Sequence, residues 1–199
     1  MIVRHGRTSW NLDGRFQGQT DVPLDETGRA QARAVGAALA GERFDCAVSS
    51  DLARASETAE LVLAGRALVL ECDPRWRELR FGAWEGLAWP EIVERYPSLA
   101  ERSPTAARFY APAGGESFDE LSARIGEALA ALGRRVPAGG RALAVTHAGP
   151  LHACLRVLLG EQEANALAVR FSPAGITRLR LSPGGATLTE LNRTIETSA

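Results

Sequence analysis

The sequence predicts an α/β protein of three layers, in which helices cover both faces of a mostly parallel central sheet and an antiparallel hairpin lies near the C-terminus. Between residues 2 and 71, short apolar runs alternate with amphipathic helical patterns in the order β-α-β-α-β. Strands in that order run parallel, because each helix returns the chain across the sheet. Two runs of alternating apolar and polar residues, separated by Ser182-Pro183-Gly184-Gly185, predict the hairpin.

The first half of the chain supplies three strands and two helices. Residues 2–4 form a very short strand, and a polar, glycine-rich loop covers residues 5–24. Acidic residues in a first turn and apolar residues at helical spacing predict a helix from Asp25 to about Leu39. The next elements are a buried strand over 45–49, a helix that Ser50 or Asp51 caps and that ends near Leu63, and a strand over 67–71.

Residues 72–115 are less regular. They are rich in arginine, tryptophan and proline, and only residues 91–96 have a helical pattern. Because long irregular segments inside a domain generally carry function, we predict that residues 72–115 form a lid or a substrate wall. Six aromatic residues of this segment either line such a wall or simply pack the segment together. They are Trp76, Phe81, Trp84, Trp89, Phe109 and Tyr110.

The second half completes the sheet. Apolar residues on one face predict a long helix from Glu116 to about Arg135, and a strand over 141–146 follows. The next helix runs from Pro150 to about Leu159, and the free amides of such a first turn bind anions. The strands of the terminal hairpin cover 176–181 and 188–191. We expect a single domain, residues 1–199.

The composition excludes several classes of function. All 23 basic residues are arginine, so a Walker A nucleotide loop and lysine Schiff-base chemistry are both excluded. A net charge of −1 argues against general nucleic-acid binding, which needs a clustered excess of cations. We find neither a membrane-spanning run nor a signal-peptide pattern, and therefore expect a cytoplasmic protein. The separated Cys46, Cys72 and Cys154 indicate neither a disulfide framework nor a thiolate zinc site.

Two of the three histidines, His5 and His147, follow apolar strands at matching strand-to-loop turns. The carboxyl ends of neighbouring parallel strands meet at one edge of a sheet, so these side chains converge if the strands are adjacent. A neutral imidazole can attack phosphorus while a second, protonated imidazole stabilises charge on the phosphoryl oxygens. His152 lies inside a predicted helix, and we interpret it as structural.

Five motifs, taken in order over residues 2–160, resemble the histidine phosphatase superfamily, which has the phosphoglycerate-mutase-like fold. They are Arg4-His5-Gly6 with Thr8 and Asn11; Ser49-Ser50-Asp51-Leu52-Ala53-Arg54-Ala55 with Thr58-Ala59; Arg77-Glu78-Leu79 with Phe81-Gly82 and Trp84-Glu85-Gly86; Gly114-Gly115-Glu116-Ser117; and Val145-Thr146-His147-Ala148-Gly149. A single Arg-His-Gly triplet is weak evidence. The five motifs in order are strong evidence.

The resemblance implies roles for five residues. His5 would be the nucleophile and would carry the phosphoryl group as a phosphohistidine. Arg4, Arg54 and His147 would hold the non-bridging oxygens, and arginine forks neutralise phosphoryl charge without a metal. Glu78 would protonate the leaving oxygen and then activate water.

The resemblance also implies which residues line the substrate site. Asn11 would add a neutral donor, and Thr8 and Gln17 would line the pocket without taking part in catalysis. Ala148 stands where one branch of the family has an acidic proton donor. That substitution favours Glu78 as the proton donor, although Glu85, Glu91 and Glu116 are further carboxylates in the chain.

The likeness is to α-ribazole phosphatase and the broad-specificity phosphatases of the family. It implies hydrolysis of a small phosphomonoester without a metal or another cofactor, and a homodimer. The mutases of the family carry an insertion between the proton-donating acid and the second histidine. The corresponding interval here, from Glu78 to His147, is shorter than in the mutases. Two alternatives stay open: a 2,3-bisphosphoglycerate-dependent phosphoglycerate mutase, and a non-catalytic member that binds a phosphorylated ligand or a partner protein.

Three other hydrolase mechanisms lack their sequence signatures. Cysteine phosphatases need Cys-x5-Arg, but Leu52, Glu78 and Gly160 stand six residues after the cysteines. No Asp-x-Asp of an aspartyl phosphatase is present, and Ser117 lies in Gly-Glu-Ser-Phe-Asp rather than the Gly-x-Ser-x-Gly of serine hydrolases. These mechanisms are excluded.

The first strand is shorter than the family resemblance leads us to expect. Met1, Ile2 and Val3 alone precede Arg4, whereas the family usually has a longer strand in the middle of its sheet. A short central strand forgoes ladder hydrogen bonds and apolar burial. We therefore expect the natural chain to begin upstream of Met1.

Overall fold

A six-stranded sheet organises the computed structural model, which describes residues 1–102 and 112–197. The strands are β1 Ile2–Arg4, β2 Cys46–Ser49, β3 Leu70–Cys72, β4 Ala142–Thr146, β5 Ile176–Ser182 and β6 Gly185–Arg193. They lie in the order β3-β2-β4-β1-β5-β6. The first four strands in that order are parallel, and β5 is antiparallel to both β1 and β6. The predicted mostly parallel sheet with a terminal hairpin is therefore confirmed.

Helices cover both faces of this sheet. In the described residues they are α1 Ser9–Leu12, α2 Glu26–Ala38, α3 Ala53–Leu63, α4 Trp89–Arg95, α5 Phe118–Arg135, α6 Ala148–Leu159 and α7 Glu161–Ala166. Single turns of 3-10 helix occur at Pro74–Trp76, Gly82–Trp84 and Pro97–Leu99. Within these parts of the chain, we find no helix with the length and apolar character that a membrane crossing requires.

The two-residue period of the strands divides the core. In β1, Val3 joins a cluster with α2 and α3, whereas Ile2 joins the cluster of α5 and α6 on the other face. Ala47 and Val48 divide in the same way in β2. This alternation, which an apolar strand covered on both faces requires, produces the three layers.

The start of α3 differs from the sequence prediction. Neither Ser50 nor Asp51 caps the helix: Leu52 occupies the N-cap position without a side-chain hydrogen bond. Instead, Asp21 in the long first loop accepts a hydrogen bond from the Ala53 amide at 2.8 Å. Ser50 accepts one residue earlier, from the Leu52 amide, and the Asp51 carboxylate pairs with a distant arginine. The cap therefore comes from a residue that local sequence patterns do not reveal.

The structure has two helices that the sequence analysis does not predict. The predicted 5–24 loop includes α1, which Thr8 caps, and α7 follows α6 after Gly160. The third strand lies at Leu70–Cys72, slightly later than predicted. The remaining helices and strands lie within a few residues of their predicted positions.

The short β1 strand is paired on both sides. It runs parallel to β4, with Arg4 opposite Thr146, and antiparallel to β5. The ladder on the β4 side extends through Met1, whose carbonyl accepts from the Ala144 amide at 2.9 Å. Its amino group donates to the Ala142 carbonyl, also at 2.9 Å. The expectation of a longer first strand stays a prediction.

Candidate active site

The ends of β1 and β4 bring His5 and His147 together. Because Arg4 lies opposite Thr146 in the parallel register, the two residues that follow are neighbours at the carboxyl edge of the sheet. The His5 amide donates to the Thr146 carbonyl at 2.8 Å, and the two imidazole centroids are 5.1 Å apart. Both side chains are buried. The two histidines therefore converge, as their matching positions at the strand ends predict.

Hydrogen bonding fixes the tautomer of His5. Its Nδ1 lies 2.7 Å from the Gly6 carbonyl, and a carbonyl only accepts, so Nδ1 carries the proton. Nε2 then keeps its lone pair. Burial, followed by the charges of Arg4 and Arg54, lowers the pKa of His5 well below its usual 6.5. The free site therefore presents a neutral imidazole with an unprotonated nitrogen, which is the form a nucleophile needs.

His147 has the opposite tautomer. Arg54 donates from Nε to His147 Nδ1 at 3.2 Å, so the proton of a neutral ring lies on Nε2. Nε2 is buried and has no hydrogen-bond partner among the described residues. Burial, followed by the charge of Arg54, lowers the pKa of His147 well below 6.5. The free site therefore favours a neutral His147 ring whose N–H lacks an acceptor among the described residues, and a protonated second histidine acting on phosphoryl oxygens stays a prediction.

Arg4 and Arg54 supply two cations beside the histidines. Within the described residues, no acidic side chain lies within ion-pairing distance of either guanidinium. Arg4 donates to the Phe171 carbonyl at 2.6 Å, and its Nε is buried without a partner. Burial lowers the pKa of Arg4 to about 10, so it stays charged at neutral pH. Cations that lack a paired carboxylate are costly to remove from water, and an anion in the pocket would neutralise them.

Backbone carbonyls hold Arg54 in place. Its side chain is fully buried, and its terminal nitrogens donate to the Gly18 carbonyl at 2.6 Å and to the Thr20 carbonyl at 2.8 Å. Glu85 fixes this loop, because its carboxylate accepts from the Thr20 amide at 3.0 Å and from the Thr20 hydroxyl at 2.6 Å. The orientation of Arg54 therefore depends on the first loop and on residues 81–85 together.

Glu78 is held by two amides. Its Oε1 accepts from the Leu79 amide at 2.8 Å and from the Gly149 amide at 2.9 Å, which leaves Oε2 for a proton. Burial raises the pKa of Glu78 above its usual 4.5, although both amides, Arg54 and Arg4 act in the opposite direction. A side chain at position 149 would collide with this carboxylate, so only glycine lets the carboxylate approach the amide.

The other glutamates named in the sequence have different partners. Glu85 binds the first loop, Glu91 pairs with Arg15, and Glu116 pairs with Arg124. Among these four carboxylates, Glu78 is the one that lines the pocket described next. Its choice as the candidate proton donor is therefore consistent with the geometry.

A pocket of about 230 Å³ is lined by Arg4, His5, Arg54 and Glu78, whereas His147 is fully buried and is not among its lining residues. Asn11, Gln17 and Ala148 line it as the sequence predicts. The amide oxygen of Asn11 accepts from the Thr8 amide and hydroxyl, which leaves its NH2 group for a ligand. Gln17 is buried, and its Oε1 has no partner among the described residues. Thr8 itself does not line the pocket: it caps α1 and orients Asn11.

Comparison with known proteins decides the family. The model for the histidine phosphatase superfamily, branch 1, matches residues 1–194. The chain belongs to this superfamily. Its active sites act on phosphate esters, so two arginines that have no carboxylate partner among the described residues, and that lie beside two histidines, match the chemistry of the family.

Curated members of this superfamily resemble the chain over most of its length. A metal-independent phosphoserine phosphatase of Arabidopsis thaliana is 39% identical over 157 residues, which are 77% of this chain and 65% of that protein. A probable phosphoglycerate mutase of Photorhabdus laumondii is 37% identical over 165 residues, 80% of this chain and 74% of the relative.

Solved structures of the superfamily match almost the whole chain. A mycobacterial glucosyl-3-phosphoglycerate phosphatase in complex with VO3 has a TM-score of 0.86 and 33% identity, and the match covers 97% of this chain and 98% of the other. An α-ribazole phosphatase of Shigella flexneri has a TM-score of 0.82 and 28% identity, covering 100% and 98%. The resemblance to the phosphatases of the superfamily and the phosphoglycerate-mutase-like fold are thus both confirmed.

Sequence reasoning missed part of the pocket wall. His152, interpreted as structural, lines the pocket and packs its ring edge against Phe171 with centroids 4.9 Å apart. The available signal was its spacing from Ala148, because residues four apart share one face of a helix. Further lining residues not singled out for the pocket are Arg15, Phe16, Gly18, Leu79 and Gly149.

The predicted aromatic wall is mostly core. Of its members, Phe81 lines the pocket, whereas Trp76 is buried in the main core between the sheet and α5. Trp84 and Trp89 form a separate cluster with Phe16. Phe109 and Tyr110 lie outside the described residues. In residues 1–102 and 112–197, no group of three or more His, Cys, Asp or Glu side chains is placed to hold a metal ion.

Proposed function

We propose that the protein hydrolyses a small phosphomonoester without a metal, through a phosphohistidine intermediate on His5. One observation carries the proposal: a neutral imidazole with a free nitrogen lines a pocket together with two arginines, the fully buried Arg54 and the partly buried Arg4, and neither has a carboxylate partner among the described residues. Phosphoryl transfer needs positioning and charge neutralisation above all. The pocket supplies a nucleophile and cations for both requirements.

In the first step, His5 Nε2 forms a bond to phosphorus while the bond from phosphorus to the ester oxygen breaks. Glu78 gives its proton to that oxygen, and the alcohol leaves. The proton stays on His5 Nδ1 and is hydrogen-bonded to the Gly6 carbonyl, which stabilises the positive charge that develops on the ring. Arg4, Arg54 and the Nε2–H of His147 donate to the non-bridging oxygens.

In the second step, water attacks the phosphorus of the phosphohistidine. Glu78, now a carboxylate, takes a proton from that water, and the phosphorus–nitrogen bond breaks. Inorganic phosphate leaves, His5 regains its lone pair, and Glu78 is again protonated. Because burial raises the pKa of Glu78, both forms of this carboxyl group are accessible in one catalytic cycle.

Hydrolysis is favoured over mutase activity by the short interval between Glu78 and His147, which leaves little chain to shield a phosphohistidine from water. A purely binding role is disfavoured because each catalytic position holds a competent residue. The leaving group of the substrate would meet Arg15, Phe16, Phe81 and His152 in the pocket wall.

The test compares phosphate release with isomerisation. Chelator-treated protein is given a panel of phosphomonoesters, and separately 3-phosphoglycerate with and without 2,3-bisphosphoglycerate. We expect phosphate release from at least one ester, no gain on adding divalent metal, and no activity in His5→Gln. Strict dependence on 2,3-bisphosphoglycerate, with isomerisation much faster than hydrolysis, would show a mutase. Phosphate binding without turnover of any ester would show a binding protein.

Several sequence predictions accompany this proposal. They are the single domain over residues 1–199, the lid or wall formed by residues 72–115, the homodimer and the cytoplasmic location. Each stays a prediction.

A further inference from the structure

The segment that carries Glu78 has no strand beside it. Residues 75–78 begin within the 3-10 turn Pro74–Trp76 that follows β3, and no backbone amide of the described residues donates to their four carbonyl groups. Trp76 and Leu79 anchor the segment in the main core and are almost completely buried. Buried carbonyl groups need donors, so side chains must supply them.

One arginine supplies donors to three of the four carbonyls. Arg124, on α5, donates from Nη1 to the Arg75 and Arg77 carbonyls, each at 2.7 Å, and from Nη2 to the Glu78 carbonyl at 2.9 Å. Thr146, the last residue of β4, donates to the fourth, the Trp76 carbonyl, at 2.7 Å.

Glu116 holds this arginine in place. Its two carboxylate oxygens accept from Arg124 Nε at 2.6 Å and from Nη2 at 2.8 Å, so both edges of the guanidinium plane are fixed. The Glu116 amide also donates to the Arg80 carbonyl at 2.8 Å, just beyond Glu78 in the chain. The ion pair is largely buried, with side-chain exposures of 19% and 10%, and such bidentate pairs have well-defined geometry.

The peptide unit between Glu78 and Leu79 connects this arginine to the carboxyl group. Its carbonyl accepts from Arg124, and from Gln19 at 3.2 Å, whereas its N–H donates to Glu78 Oε1 at 2.8 Å. Because the peptide is planar, the donors that fix its carbonyl also fix the direction of its N–H. Rotation of this peptide would redirect the hydrogen bond that orients the Glu78 carboxyl group.

We propose that Arg124, held by Glu116, is a positioning residue for Glu78: it fixes the 78–79 peptide and thereby aims the carboxyl group at the leaving oxygen. The inference rests on the proposed function, in which Glu78 is the proton donor. Arg124 does not line the pocket. Its effect on the reaction therefore passes through the backbone of residues 75–78.

The leaving group separates positioning from general stability. An alkyl phosphate has a poor leaving group and needs the proton from Glu78, whereas p-nitrophenyl phosphate has a good one and needs it far less. A misplacement of about 1 Å costs on the order of 100-fold in a positioned step. We expect Arg124→Gln to lower kcat/KM for the alkyl ester by about 10- to 100-fold, and by about 3-fold or less for the aryl ester.

Two further variants define the cause. Arg124→Lys keeps the charge beside Glu116, but an ammonium group does not reproduce the fork that reaches three carbonyls, so we expect the same selective loss at reduced size. Full rescue by Arg124→Lys would show that charge alone matters and would overturn the proposal. Arg134→Gln, at an exposed position near the end of α5, is the matched control and should leave kcat/KM unchanged for both esters.

Glu78→Gln separates failure of this inference from failure of the proposed function. If Glu78→Gln itself does not discriminate between the two esters, the assignment of the proton donor is wrong. If Glu78→Gln lowers kcat/KM more for the alkyl ester than for the aryl ester, but Arg124→Gln lowers kcat/KM equally for both, only the positioning role is wrong. Thermal melting accompanies each variant, and if Arg124→Gln does not fold, Arg124→Lys decides the question in the same assay.

Discussion

Gly149→Ala tests the geometry of the candidate proton donor with one methyl group. A Cβ at this position would collide with Glu78 Oε1, and the next nearest atom, Leu79 Cβ, would be 3.3 Å away. The Glu78 carboxylate is the free end of a flexible side chain, so it moves aside and the backbone does not. The change therefore displaces the carboxyl group and breaks its hydrogen bond from the residue 149 amide.

The magnitude follows from what is lost. General acid catalysis contributes about 100- to 10,000-fold, and displacement removes most of it for a poor leaving group. We expect kcat/KM for an alkyl phosphate to fall by roughly 100-fold, and p-nitrophenyl phosphate to be affected by less than about 5-fold. The fold should survive, because a lost hydrogen bond costs about 1 kcal/mol and the higher helix propensity of alanine offsets part of it.

Steady-state kinetics on both esters, with urea melts of each variant, provide the assay. Gly133→Ala is the matched control: a Cβ there meets no atom within 4 Å, and it lies in α5, so we expect unchanged kinetics and equal or higher stability. Wild-type kcat/KM for the alkyl ester in a folded Gly149→Ala variant would refute the assignment of Glu78 as proton donor.

Three further predictions concern charge. Burial raises the pKa of Glu78, and the protonated form is the active acid. For an alkyl ester, kcat/KM should therefore fall as the pH rises through that pKa. Glu78→Gln should abolish this limb of the pH profile. The pKa values of His5 and His147 are lowered well below 6.5, so the unfolded chain binds more protons than the folded chain below that pH. Urea melts should therefore show the free energy of unfolding decreasing below pH 6.5, by up to about 1.4 kcal/mol per pH unit for each histidine. His147→Gln should reduce this slope. Arg54→Lys keeps the positive charge but loses the directed hydrogen bonds of the planar guanidinium group. Phosphate or vanadate, measured by calorimetry, should therefore bind about 10-fold more weakly. Unchanged affinity would contradict the role of Arg54.

Strand patterns alone predict the central arrangement of the site. Apolar strands that end at His5 and His147 require only that β1 and β4 be adjacent, because parallel strands share their carboxyl edge. The period-two alternation likewise predicts both core layers. These features depend on residues close together in the chain and on general rules of sheet geometry.

Features that depend on distant residues could not be predicted. The cap of α3 comes from Asp21, and the donors to the carbonyls of residues 75–78 come from Arg124 and Thr146. No local pattern indicates which distant polar group will meet a buried carbonyl. The neutral state of His147 also depends on the folded site, because burial and Arg54 lower its pKa together.

The central claim is that His5 carries the phosphoryl group. The direct measurement is to mix the protein with a phosphomonoester labelled in its phosphate, quench in alkaline denaturant within the first turnover, and locate the label by peptide mass spectrometry. We predict at most one labelled phosphoryl group per chain, stable in alkali, labile in acid, located on His5 and absent from His5→Gln. It should accumulate in Glu78→Gln when the ester is p-nitrophenyl phosphate, because water is then no longer activated. Hydrolysis at the wild-type rate by His5→Gln, or a label on any other residue, would contradict the account.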